Sequence, residues 1–371
     1  MTDQEYMEMA IELAKKGMGW TNPNPMVGAV VVKDGRIIGT GYHQKFGGPH
    51  AERNAIAACR ESAAGAALYV TLEPCCHTGK TPPCTEAILE AGIAKVFVGS
   101  KDPNPNVCGK GIRQLKQAGV EVIEDFLKEE CDALNPVFFH WIQTGLPYLV
   151  CKYAMSADGK IAAWTGESQW ISNEASRGHV HQIRGRYRAI LAGIQTVLQD
   201  DPLLTCRHDG LPSPVRVICD SHLRIPEDSQ LVNSAREFDL IVACIQADPA
   251  KKRRLEQKGV QVWILPEKDH RVDLKELMIR LGASGIDSVL AEGGAEIHAS
   301  LLQTGLVQKC LVYIGGKILG GRQAKSPVGG KGACCPDLGV QLKMPKVHRF
   351  ENDILLEYEL EAWRKETCLQ G

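Results

Sequence analysis

Residues 49–52 read PHAE, and residues 70–84 read VTLEPCCHTGKTPPC. The first stretch opens an amphipathic run that predicts a helix over 51–59. The second begins as a β-rich run, Leu68 to Leu72, and ends where Thr85 to Ala91 predicts another helix. One imidazole (His50) and two thiols (Cys75, Cys84) therefore sit at strand and helix ends. An acid, Glu52, stands two residues beyond the histidine. Three ligands of this type leave a tetrahedral metal one open position, as a catalytic zinc requires for the water it acidifies. The other reading is a closed structural site completed by Cys76 or His77. That reading gives Glu52 no purpose beside the metal.

Around this stretch the pattern is layered. Glu5 to Lys16 has helical spacing, and Val27–Val32 and Arg36–Gly41 flank an Asp34-Gly35 pair, which predicts a hairpin. Lys95–Val98, Gly109–Ala118 and Val120–Ile123 extend a strand–helix alternation that implies helices packed on a sheet. The pattern breaks at Thr144-Gly145-Leu146-Pro147, so the expected domains are 1–145 and 146–371. A second series follows: Tyr148–Tyr153, Tyr187–Ala192, Val215–Cys219, Leu240–Cys244, Val260–Leu265, Ser288–Ala291 and Lys309–Ile314. Most are short apolar runs without alternation, the pattern of buried parallel strands, and Asp273–Leu281 suits a helical crossover.

At 371 residues with 44% hydrophobic and 23% charged positions, the composition is that of an ordinary globular protein of two domains. Lys and Arg number 43 against 44 Asp and Glu, which leaves no global positive field for polynucleotides and favours a small-molecule substrate. The start of the chain lacks a signal-peptide pattern, and no run reaches the ~18 apolar residues of a membrane span. The expectation is a soluble cytoplasmic protein, away from membranes, whose 14 cysteines are reduced.

HAE followed by PC resembles the zinc deaminase signature, in which the glutamate shuttles protons. Here eight residues, CHTGKTPP, separate Cys75 from Cys84 where the signature has two. With TNPNPMVGAVVVKDGRIIGTGYH (21–43), GGPHAE (47–52), VTLEPCCHTGKTPPCTEAI (70–88) and KDPNPNVCGKGI (101–112), the N-terminal half resembles the bifunctional deaminase/reductase family of riboflavin biosynthesis. The resemblance covers nearly the whole chain. It implies an α/β protein, with a cytidine-deaminase-like α/β/α layered domain followed by a dihydrofolate-reductase-like α/β domain. It also implies one zinc ion on His50, Cys75 and Cys84, Glu52 as general acid and base, and Asn24, His43, His77, Lys80, Asp102 and Asn104 around a phosphorylated pyrimidine. Cys76 stands where the usual motif has Ser.

In the second half the resemblance rests on KYAMSADGK (152–160), GESQWI (166–171) and the run from Arg184 through Thr196 and Asp200 to Arg207. It implies that Ser168, Arg184, Leu204, Arg207 and Glu292 meet substrate. It further implies that Ala154, Trp170, Thr196, Asp200, Gly294 and Ala295 face NADPH, while Ser221 and Arg224, in CDSHLRIP after a predicted strand, are candidates for its extra phosphate. Lys152 is the candidate proton or charge partner for reduction. Glu292-Gly293-Gly294 reads as a turn into a helix start with free N–H groups for a diphosphate. No GxGxxG opens either half. A homo-oligomer is expected. The rival functions are a deaminase of nucleosides or polynucleotide bases, and a zinc-stabilised binding module, which would leave Glu52 and the second half unexplained.

Overall fold

The strand-helix alternation of the sequence is resolved into two compact units, Met1–Gly145 and Leu146–Gly371. The computed structural model describes residues 1–77, 82–104 and 107–361. Thr2 caps the first helix, α1 (Asp3–Lys15), through a reciprocal pair of bonds with Glu5. Strands β1 (Gly28–Lys33) and β2 (Arg36–Tyr42) form the hairpin, with Asp34 and Gly35 both at positive φ (50° and 72°), as a tight two-residue turn demands. There follow α2 (Ala51–Ala57), β3 (Ala67–Leu72), α3 (Cys84–Glu90), β4 (Lys95–Ser100), α4 (Lys110–Gln117), β5 (Glu121–Ile123), α5 (Lys128–Asp132) and α6 (Pro136–Thr144).

The sheet order is β2-β1-β3-β4-β5, with β1 antiparallel to both neighbours and β3, β4 and β5 parallel. Alternate residues of β1 serve opposite faces. Ala29 and Val31 join a core with α2, α3 and α4. Val30 and Val32 pack with Tyr6, Met7 and Ala10 of α1. Helix α2 rests directly on β2, because a Cβ at Gly39 would lie 2.3 Å from the Ala55 carbonyl oxygen, and one at Gly41 the same 2.3 Å from the Ala55 amide nitrogen.

The second unit begins with β6 (Tyr148–Ser156), α7 (Glu174–Arg186), β7 (Ala189–Gly193), α8 (Ile194–Asp200), β8 (Val215–Cys219), α9 (Gln230–Asn233), β9 (Leu240–Cys244), α10 (Pro249–Gln257) and β10 (Val260–Ile264). A two-stranded ribbon of β11 (Glu267–Lys268) and β12 (Arg271–Val272) precedes α11 (Leu274–Ala283), β13 (Ser288–Ala291), α12 (Ala295–Thr304) and β14 (Val307–Gly315). The last strands are β15 (Lys346–Phe350) and β16 (Asp353–Glu359). The nine-stranded order is β10-β9-β8-β7-β13-β6-β14-β16-β15.

From β10 to β14 every pairing is parallel, and β7, β8, β9 and β13 are buried on both faces, which explains their unbroken apolar runs, while edge strand β10 exposes Gln261 and Ile264. The hairpin of β15 and β16 closes that edge antiparallel. Its half-exposed pattern is unlike the buried runs before it. Among the described residues no helix is long and apolar enough to cross a membrane.

Candidate active sites

In the first unit three ligand atoms come from three element ends. His50 is the N-cap of α2 and uses no side-chain bond to cap it, so its ring is free to face the two sulfurs. Its Nδ1 lies 3.5 Å from Cys75 Sγ and 3.3 Å from Cys84 Sγ. Cys75 follows β3, and its carbonyl accepts the N–H groups of Cys84 and Thr85 at 3.0 and 3.1 Å, which returns the long intervening loop to the start of α3. Arg53 holds the same return through the carbonyls of Pro82 and Pro83. The three donor atoms lie within 4.8 Å of one another. The hydrogen bond from Cys84 holds the Cys75 thiol far below its ordinary range, while Cys84 is pushed up. A nitrogen and two sulfurs at this spacing fit zinc.

Glu52, on the first turn of α2, is 3% exposed, and burial pushes its carboxyl up to about 7. His43 is buried, and chiefly that burial pulls its imidazole below the ordinary range. Its Nδ1 donates to the Pro49 carbonyl (3.0 Å), which leaves Nε2 to accept from Asn24 Nδ2 (3.3 Å). A cavity of about 320 Å³ is lined by Asn24, His43, His50, Glu52, Cys75, His77, Asp102 and Asn104. Lys80 lies outside the described residues.

In the second unit the polar side chains gather at the carboxyl ends of the parallel strands, where open α/β sheets bind ligands. Glu292 follows β13, and its side chain is 4% exposed. Arg184 of α7 grips it with two bonds, Nε to Oε1 at 2.8 Å and Nη2 to Oε2 at 3.0 Å, and Lys152 of β6 stands 3.6 Å from Oε2. Burial alone would raise the Glu292 carboxyl, but Arg184 and Lys152 outweigh it and hold the group well below the carboxylate range. Burial also pulls Lys152 down.

Arg184 Nη1 donates to the Thr205 carbonyl (3.2 Å), which ties the pair to the segment bearing Leu204 and Arg207. Leu204 is buried with a left-handed φ of 54°, a strained backbone of the kind found beside functional sites. Arg207 is exposed and donates to His181.

Family comparison decides what these sites belong to. Residues 147–356 match the model for the RibD C-terminal domain, and residues 1–100 match the cytidine and deoxycytidylate deaminase zinc-binding region. The chain is 52% identical over 358 residues to riboflavin biosynthesis protein RibD of Actinobacillus pleuropneumoniae, across 96% of this chain and 95% of that one. The chain belongs to the RibD family. RibD of Escherichia coli is 41% identical over 333 residues, across 86% and 89% of the two chains. Among solved structures, RibD of Acinetobacter baumannii superposes with a TM-score of 0.88 at 36% identity, over 97% of this chain and 99% of that one. A diaminohydroxyphosphoribosylaminopyrimidine deaminase/5-amino-6-(5-phosphoribosylamino)uracil reductase of Thermotoga maritima gives a TM-score of 0.86 at 38% identity, over 96% and 98%. RibD enzymes join a cytidine-deaminase-like fold to a dihydrofolate-reductase-like one, with zinc and NADPH as cofactors, and this member has both halves.

The remaining residues named from the RibD resemblance are distributed as follows. Thr196 of α8 faces the glycine turn, since a Cβ on Gly293 would lie 3.0 Å from its Oγ1. Gly294 is the N-cap of α12, with φ 83°, and Ala295 is its first residue. Asp200 ends α8, and the neighbouring Gln199 bonds the Gly166 carbonyl at 2.9 Å, which brings the 166–171 segment to that helix end. Trp170 is 59% exposed with the Arg177 guanidinium 4.5 Å over its ring. Ala154 is in β6, and Ser168 is half-buried. Ser221 follows β8 and accepts from the Val272 N–H at 3.3 Å, and Arg224 is exposed beside Asp220. Sequence reasoning missed Arg216, a fully buried arginine of β8 that donates to the carbonyls of Leu203, Ser234 and Phe238 and so holds the start of the Leu204 segment. A charged residue inside an apolar strand was the available signal.

Proposed function

We propose that residues 1–145 hydrolyse the ring amino group of 2,5-diamino-6-(5-phosphoribosylamino)pyrimidin-4-one, and that residues 146–371 reduce the ribosyl group of 5-amino-6-(5-phosphoribosylamino)uracil to ribityl. The observation that carries this reading is the buried Glu52 carboxyl in one cavity with His50 and Cys75, whose donor atoms lie within 4.8 Å of the Cys84 sulfur.

Zinc, when held by those three residues, supplies the Lewis acidity that brings a water's pKa toward neutrality. Glu52, poised near neutrality by burial, takes a proton from water and delivers it to the leaving amino group, so that ammonia departs and a carbonyl remains. Asn24, its amide held by His43, presents its remaining N–H and its carbonyl oxygen to the pyrimidine, with His77, Asp102 and Asn104 completing the wall. Lys80, in a Gly and Pro rich stretch, is assigned to the substrate phosphate.

NADPH, when bound, supplies the hydride for the second step. Ala154, Trp170, Thr196, Asp200, Ser221, Gly294 and Ala295 are assigned to it. Ser168, Arg184, Leu204, Arg207 and Glu292 are assigned to the substrate, and Lys152 is the proton or charge partner. The grip of Arg184 on Glu292 supports that grouping.

The near balance of 43 basic and 44 acidic residues supports a small-molecule substrate over nucleic acid or a membrane surface, for a protein we place in the cytoplasm. Exposed Met344 and Val347, 94% and 57%, at and beside edge strand β15 support a homo-oligomer.

The test supplies the diaminopyrimidinone ribosylphosphate to zinc-loaded protein with and without NADPH and identifies products by mass. The deaminated compound is expected alone without NADPH, and its ribityl derivative with it. Chelation should stop only the first step. Release of ammonia from cytidine with none from the ribosylphosphate would overturn the assignment.

A further inference from the structure

Four backbone N–H groups converge on one carboxylate beside the first site. Glu73, the residue after β3, is 3% exposed. Its Oε2 accepts from Asp102 N at 3.3 Å and Gly109 N at 2.9 Å, and its Oε1 accepts from Gly111 N at 3.1 Å and Ile112 N at 3.3 Å. The donors flank the connection from β4 to α4. At the near end, Asp102 and Asn104 line the cavity, with Asn104 N donating to Asp102 Oδ1 at 2.8 Å. At the far end is the first turn of α4, whose N-cap, Gly109, has no side chain to satisfy the free N–H groups of a helix start. Glu73 supplies that cap from another element.

The fit is close. A Cβ on Gly111 would lie 2.0 Å from the Pro74 carbonyl oxygen, so the start of α4 is pressed against residues 73–74. Two residues past Glu73 the chain delivers Cys75 to the metal set. One carboxylate therefore joins the strand end that carries a ligand to the segment that carries two cavity-wall residues. Only a carboxylate suits four donors, because it is acceptor-only with about four lone-pair sites. An amide would turn its own N–H groups on two of them.

We propose that Glu73 is a positioning residue of the deaminase, fixing Asp102 and Asn104 at the substrate while its own oxygens stay committed to the backbone. The proposal rests on the reading of this cavity as a deaminase site.

The test compares wild type, Glu73→Gln and Glu73→Asp in the full zinc-loaded chain. Expected for Glu73→Gln is a deaminase KM raised about tenfold or more, the scale of one lost charge-assisted hydrogen bond. kcat should change less, with zinc content and reductase rate retained. Faster hydrogen exchange at the amides of Gly109, Gly111 and Ile112 should accompany it. An unchanged KM, or zinc lost in step with activity, would overturn the proposal. Should Glu73→Gln not accumulate folded, Glu73→Asp decides: its carboxylate is one methylene short, so KM should still rise, and an unchanged KM refutes. If zinc-loaded wild type releases no ammonia from the ribosylphosphate, the deaminase reading falls by itself, and the exchange rates still report whether Glu73 holds the segment.

Discussion

Replacing Glu292 with Gln removes the one negative charge in a cluster that also holds Arg184 and Lys152. The two cationic side chains, 16% and 14% exposed, would be left facing each other with no counter-charge. Removing one member of a buried ion pair costs roughly 3–5 kcal/mol. In a domain of this size each kcal/mol lowers Tm by about 2–4 °C, which gives an expected fall of roughly 6–20 °C for the transition of the second unit.

The pH dependence has a definite sign. Glu292 is depressed in the fold, to about 2, because Arg184 and Lys152 outweigh the effect of burial. Its contribution is therefore complete above the unfolded value of about 4.3 and drains away as pH falls through the folded one. The gap between wild type and variant should be flat from about pH 8 to about pH 5 and should narrow below about pH 4. Calorimetry of the ligand-free chain across that range checks both statements. A Tm within about 1 °C of wild type, or a gap that widens on acidification, would refute the reasoning.

Glu52→Gln keeps the shape of a buried side chain but carries no proton to the leaving group, so deaminase kcat should fall by about 10²–10⁴. Bound zinc measured by mass spectrometry and the reductase rate should be unchanged, and zinc lost along with activity would contradict the role. Arg207→Ala removes an exposed guanidinium assigned to the phosphorylated substrate, so the reductase KM should rise roughly 10–100-fold with little change in Tm, as steady-state kinetics and thermal melts can check.

The parts legible in the sequence were those with a local cause. Asp34-Gly35 identified a hairpin because both positions need positive φ. Strands β7, β8, β9 and β13 were visible as apolar runs because they are buried on both faces. His50, Cys75 and Cys84 could be picked out as a cluster because ligand chemistry restricts residue type.

Helix α7 was not legible. Its sequence, EASRGHVHQIRGR, has two glycines and gives up apolar periodicity to side chains such as Arg184, which reaches Glu292, and His179, which meets Tyr313 Oη at 2.8 Å. Strands β15 and β16 were missed because they pair antiparallel at the sheet edge, where half their residues face solvent. The bonds of Glu73 span 29 to 39 positions of sequence, and no local pattern encodes such a partner.

The direct seating of α2 on β2 gives the metal centre a dependence on two hydrogen atoms. His50 and Glu52 ride on that helix, and its depth is set by what Gly39 and Gly41 lack. A methyl group at Gly41 meets only main chain, of Ala51, Asn54 and Ala55, and one at Gly39 meets the Ala55 carbonyl as well as the Cys59 sulfur. Accommodating it means lifting the helix, and the imidazole with it, away from sulfurs anchored elsewhere. An engineer who randomised only the cavity wall to alter substrate choice would leave out two positions with strong leverage over the zinc site. Lineages drifting in sequence face the same constraint, since the surface of that strand is closely covered where the helix bearing Glu52 lies.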